Sequence, residues 1–169
     1  SQGNGKYGVL NTTAAFATSA IYQNTSPTSS LFSIGNFSGV NTNSANYIAY
    51  AFHSVEGYSK VGSYTGNGST DGTFVYTSFK PKYVMIKETT TSSNHWGIFD
   101  SERSTYNVID DHLAADSSAV ENVAHSAAKV DFLSNGFKPR GTGSILNSSG
   151  QTYIFIAFAE SPFKYNNAR

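Results

Sequence analysis

Few residues in this chain are suited to acid–base chemistry: eleven Asp and Glu, four His and no Cys. Glycoside hydrolysis needs two carboxyl groups about 5–10 Å apart. Asp100 and Glu102, at i and i+2, share one face of a predicted strand and approach that spacing. In the run Asp100-Ser101-Glu102-Arg103 the same acids can instead end the strand and pair with Arg103 or the backbone, and that reading is preferred. His53, His95, His112 and His125 form no local ligand pattern, and no HExxH run occurs. The absence of cysteine removes disulfides, thiolate metal sites and cysteine nucleophiles. Asp71-Gly72 beside Asn67-Gly68 offers one acid where a calcium loop needs several and a terminal Glu, so a hairpin turn is expected. No catalytic residue, metal or cofactor is assigned. His95-Trp96, after a Thr/Ser/Asn loop, and Tyr106 are the candidate receptor or glycan contacts, because an aromatic face can stack on the apolar face of a sugar. Trp96 is also the kind of large residue that fills a core, and for it the core reading is preferred.

The elements that must hold these residues are written in an unusual composition. Only 13% of residues are charged, so the polar surface is built from Ser, Thr, Asn and Gly. With 11 Tyr and 12 Phe the chain is too rich in aromatics to be disordered. Zero net charge and the lack of a basic run exclude a phosphate-neutralising nucleic-acid surface. No apolar run approaches the roughly 18 residues of a helical membrane span, and no leader with a charged and then an apolar region is visible. The first residue is Ser1 rather than Met, which reads as a processed product or a portion of something longer.

Strand patterns recur at short spacing: Leu31–Ile34, Tyr47–Phe52, Phe74–Phe79, Tyr83–Lys87, Trp96–Phe99, Val130–Leu133 and Tyr153–Ala159. Turn clusters such as Gly66-Asn67-Gly68 and Asn135-Gly136 lie between them, and Pro81 is expected in a turn. Ile109–Ala128, with Val120 and Val123, could support a helical turn or two but is expected to be an ordered loop. The fold class is therefore all-β, an antiparallel β-sandwich with little helix. Phe52, Tyr50, Phe158, Ile154, Ile156, Val84 and Ile86 are expected in its core.

One internal similarity stands out. Asn41-Thr42-Asn43 followed by Tyr47-Ile48-Ala49-Tyr50-Ala51-Phe52 matches Asn147-Ser148-Ser149 followed by Tyr153-Ile154-Phe155-Ile156-Ala157-Phe158, at a constant offset of 106 residues. Residues 1–60 then read as the end of a preceding β repeat, or as an N-terminal β segment, and residues 61–169 as a C-terminal β-sandwich unit. Low charge and exposed Asn, Ser, Thr and aromatics make a surface that is cheap to desolvate, so a homo-oligomer is expected.

The run Val55-Glu56-Gly57-Tyr58-Ser59-Lys60-Val61-Gly62-Ser63-Tyr64-Thr65-Gly66-Asn67-Gly68 carries a further signal. With Asp71–Thr77, Phe79–Lys87, Phe99–Arg103, Phe132–Lys138 and Ala157–Tyr165 it resembles an uncharacterised family of marine bacteriophage virion domains, often C-terminal in tail-fibre-like proteins. The resemblance covers about residues 31–169. It implies a SPRY- or lectin-like jelly roll in a virion, with other virion subunits and a host cell-surface glycan as partners, and it supplies no catalytic residues. Three functions compete: a fibre or appendage domain for assembly and host adhesion, a free carbohydrate-binding module, and a glycan depolymerase.

Overall fold

The computed structural model describes residues 3–122 and 124–163, so Val123, Lys164 and Tyr165 of the runs quoted above lie outside it. The chain forms β1 (Lys6–Tyr7), β2 (Ala17–Thr18), α1 (Ser38–Asn41), β3 (Ser59–Thr65), β4 (Val75–Tyr76), β5 (Pro81–Glu88), β6 (Gly97–Asp100), β7 (Leu113–Ala114), β8 (Val130–Leu133), β9 (Gly136–Pro139) and β10 (Thr152–Ala159). A five-stranded antiparallel sheet, β3-β10-β5-β6-β7, faces a three-stranded sheet, β4-β9-β8, while β1 and β2 pair separately near the start of the chain. The protein is all-β and sandwich-like.

The two-residue period explains which side chains meet between the sheets. Tyr153, Phe155, Ala157 and Ala159 of β10 are buried, alternating with half-buried Thr152, Ile154, Ile156 and Phe158. Val84 and Ile86 of β5 lie beside them on the inner face, and Phe132 and Phe137 come from the opposite sheet. Phe137 stands 5.1 Å from Phe155 and 5.9 Å from Tyr64, both edge-to-face, which ties the sheets together through aromatic contact. Each such side chain is worth about 1.5–3 kcal/mol on burial. The β8–β9 hairpin also depends on Gly136, where a Cβ would lie 2.2 Å from the Val75 carbonyl oxygen of β4.

Several sequence expectations need correction. Val84 and Ile86 are fully buried, but Ile154, Ile156 and Phe158 point to the outer side of the sheet and are only half-buried. Tyr50 and Phe52 are exposed, and neither Leu31–Ile34 nor Tyr47–Phe52 forms a strand. A strand-patterned run becomes a strand only where another strand takes its N–H and C=O groups, and these runs have none among the described residues. Phe74–Phe79 shortens to two strand residues, and Pro81 opens β5 rather than sitting in a turn. There Pro81 is the first residue of the strand and pairs with Ala159 at a register shift, an irregular position where a missing N–H does no harm. Between Ile109 and Ala128 the described residues form an ordered loop without helix, as expected, with β7 and the His112–Asn122 bridge in it.

Candidate functional site

The outer face of the five-stranded sheet is the feature that sets this molecule apart from an ordinary one-sided sandwich. Cross-strand register puts Val61 beside Ile156, Ile156 beside Met85, Met85 beside Ile98, and Phe158 beside Tyr83. An antiparallel sheet usually gives its outer face to polar residues, so an apolar outer face asks for a cover. The first 52 residues supply part of one. Tyr22, Phe52 and Trp96 border a groove floored by Val61, Met85, Ile154 and Ile156.

The cover is pinned at one end by Lys87, an outer-face residue by its position in β5, yet only 1% exposed. Its Nζ donates to the Thr13 carbonyl at 3.2 Å and to the Asn94 carbonyl, and lies 6.0 Å from the Trp96 ring centroid. Burial pushes this ammonium below the ordinary lysine pKa, against the pull of Asp116 and Glu88. Residues 9–16 are held beside it by main-chain bonds: Phe16 N–H to Thr89 O and Ser93 N–H to Thr13 O, both 3.0 Å. Trp96 Nε1 donates to Val9 O at 3.2 Å, and its ring stands 6.0 Å from Phe16. The Thr89–His95 loop is wound on the buried Glu88 carboxylate, which accepts from Thr90 N–H at 2.6 Å and from Asn94 Nδ2 at 2.8 Å. Burial alone would raise the Glu88 pKa, but hydrogen bonds from Thr91, Thr90 and Asn94 outweigh it and hold the group below its ordinary range.

The three sequence-chosen contact residues do not form one face. Trp96 is 8% exposed and packs under the N-terminal strip, outside the main core, so its ring is not open for stacking. His95 keeps a half-exposed imidazole whose Nδ1 lies 2.9 Å from Asp116 Oδ2. Asp116 is largely desolvated, which raises its pKa, yet the Trp96 N–H and His95 bring it below the ordinary value. Tyr106 is 84% exposed on a separate loop and has no ring partner among the described residues.

The acids considered for catalysis are engaged elsewhere. Asp100 Oδ1 accepts from Glu102 N–H at 3.0 Å and Arg103 N–H at 2.9 Å, while its other oxygen pairs with the Arg103 guanidinium. Glu102 pairs with Lys82, and Arg103 also reaches Glu121 at 3.0 Å. Asp71 closes a surface pair with Lys138 at 2.6 Å and Arg140 at 3.0 Å, as suits a turn residue. No group of three His, Asp or Glu among the described residues is placed to hold a metal ion.

Sequence reasoning missed two polar positions. Lys87 sits at the end of an apolar strand pattern, where a lysine ordinarily marks solvent. His112 is buried, stacked on Phe99 at 5.4 Å and set edge-on to His125 at 5.1 Å. Burial, with the charges of His125, His95 and Arg103 acting the same way, lowers its pKa to about 4. Its Nδ1 has no hydrogen-bond partner among the described residues. The even spacing of Phe99, His112 and His125 in sequence carries no local signal for this cluster.

Against this geometry, a family model described as a domain of unknown function, DUF7483, matches residues 2–162. The chain belongs to the DUF7483 family. The match takes in the N-terminal 52 residues as well as the sandwich, so the covering strip is part of the DUF7483 domain. No curated protein and no solved structure matches this DUF7483 chain.

Proposed function

We propose that this DUF7483 domain is a structural and adhesive part of a bacteriophage virion, in a tail fibre or similar surface appendage. The observation that carries the reading is the apolar outer sheet face, only partly covered by the chain's own N-terminal strip, which is pinned through a buried lysine. Such a face serves packing between successive elements of a rigid rod better than it serves a soluble free module. The ordered resemblance from Val55 to the C-terminal runs supports a virion setting, and the Ser/Thr/Asn surface with few charges suits a densely packed particle. Within that role Tyr106, exposed on a loop away from the cover, is the aromatic available to a host glycan. The SPRY- or lectin-like jelly roll belongs to the same proposal.

An antibody raised against the chain should label an appendage of particles from the producing lysate in negative-stain micrographs. Antigen found only in the soluble fraction, with unlabelled particles, would sink the reading. Glycan-array binding lost on Tyr106→Ala would support the adhesive part.

A further inference from the structure

Two stretches 106 residues apart carry the same internal wiring. In the first, the N–H groups of Val40 and Asn41 reach Phe37 O at 3.0 and 2.9 Å; in the second, those of Leu146 and Asn147 reach Gly143 O at 3.1 and 2.9 Å. Ala45 N–H donates to Thr42 O and Gln151 N–H to Ser148 O, both at 3.2 Å. Asn41 Nδ2 donates to Gly35 O at 3.3 Å, and Asn147 Nδ2 to Gly141 O at 3.1 Å. Ser44 and Gly150 both take the left-handed conformation, at φ 62° and 74°. Tyr47 Oη donates to Ser38 O at 2.8 Å and accepts from Thr42 N–H at 3.0 Å; Tyr153 Oη donates to Ser144 O and accepts from Ser148 N–H, both at 2.8 Å. The close approaches agree too, though with one residue more between the partners in the first copy: a Cβ on Gly35 would meet Ala20 O at 2.0 Å and one on Gly141 would meet Ala127 O at 1.9 Å, and Ala127 lies 107 positions after Ala20. Two Tyr/Ala/Phe runs can look alike by chance, but the contacts within residues 35–47 and 141–153, all at an offset of 106, are a repeated structural unit.

The two copies have opposite fates. β10 lies between β3 and β5, with Tyr153, Phe155 and Ala157 turned inward. The equivalent run Tyr47–Phe52 has no strand neighbour among the described residues, and Ile48 and Tyr50 are 82% and 81% exposed. We propose that residues 35–52 are the closing part of a second copy of the unit formed by residues 53–158. In that copy Tyr47–Phe52 is paired on both edges by β3- and β5-type strands carried on the same polypeptide, ahead of residue 20. A separate folded copy of this chain is a poor source, because its own β10 already fills the place between β3 and β5. The Gly35–Ala20 contact carries the equivalence back to residue 20, so the part to be supplied is the β3-to-β7 portion. The closing strand of one unit would then lead within a few residues, from Phe52 to Ser59, into β3 of the next. This inference is independent of the virion assignment.

The test compares the natural chain with one in which residues 53–140 are placed ahead of Gly35 in place of residues 1–34. A second join, with residues 53–126 ahead of Ala20, guards against a poor junction. Backbone amide exchange at Ile48–Phe52, read by mass spectrometry, should be fast in the natural chain. It should slow by about tenfold or more in at least one extended chain, as an unpaired segment gains sheet protection. Slowing of less than about tenfold in both joins, through misfolding or lack of pairing, overturns the proposal. Register gives a sharper reading. Ala51→Arg, equivalent to the buried Ala157, should restore fast exchange in the extended chain, while Tyr50→Arg, equivalent to the half-buried Ile156, should not; the reverse result overturns the assigned faces.

Discussion

Residues 35–52 and 141–158 keep the same turn, the same left-handed position and the same doubly bonded tyrosine hydroxyl, while one run is exposed and the other forms a strand paired on both edges within a sheet. The turn survives in both because its hydrogen bonds close within a dozen residues and need no help from elsewhere. The strand survives in one because a strand's own N–H and C=O groups cannot satisfy each other. Local wiring in this protein is therefore a property of short sequence, and strand formation a property of company.

The largest expected effect tests that contrast directly. Tyr153→Ala should cost about 3–5 kcal/mol in urea unfolding, since it empties a fully buried core site stacked on Tyr64. Tyr47→Ala, which removes the matching ring from an exposed site, should cost less than about 1 kcal/mol. Equal losses would mean that the first copy is already packed in this chain.

A pH series sharpens the comparison, because the buried histidine belongs to the sandwich and has no counterpart in residues 35–52. His112 has a folded pKa of about 4, below its unfolded value near 6.5, so the unfolded state takes up the proton first as pH falls. Stability should be flat above about pH 6.5, decline between about pH 6.5 and 4, and level off below, by about 3 kcal/mol at most. His112→Phe should flatten that decline in urea midpoints measured at pH 7 and 4.5; an unchanged slope would assign the effect to other groups.

A smaller effect is expected where the two regions meet. Lys87→Ala takes the ammonium donor from the Asn94 carbonyl and one of two donors from the Thr13 carbonyl, which keeps the Ser93 N–H, and should cost about 1–3 kcal/mol. The same change should speed proteolytic cleavage within residues 9–16 while the sandwich stays intact. Cleavage at the natural rate would show that the main-chain bonds at Phe16 and Ser93 hold the strip alone.

Much of the fold was legible without coordinates. The nearly continuous apolar run Tyr153–Ala159 and the apolar run ending at Lys87 marked the two longest strands, and the matching Tyr-Ile…Ala-Phe runs marked the internal similarity. The candidate site was less legible. Trp96 was read as a core residue of the sandwich; it is buried, but outside the main core, under residues 9–16, which lie 80 or more positions away. Asp100 was correctly read as a strand-end acid, because its partners Glu102 and Arg103 are its immediate neighbours.

By itself the sequence determined that this chain is all-β, low in charge and internally repeated, because hydrophobic period, turn chemistry and composition are local quantities. Only the tertiary structure decided that Ile154, Ile156 and Phe158 face outward, that Tyr47–Phe52 stands without a sheet, and that Lys87 is buried. Those outcomes depend on which strands lie on either side and which distant segment lies above. A continuous apolar run looks the same whether its second face is fully covered or half open, and a lysine looks solvent-bound until a carbonyl 74 residues away closes over it.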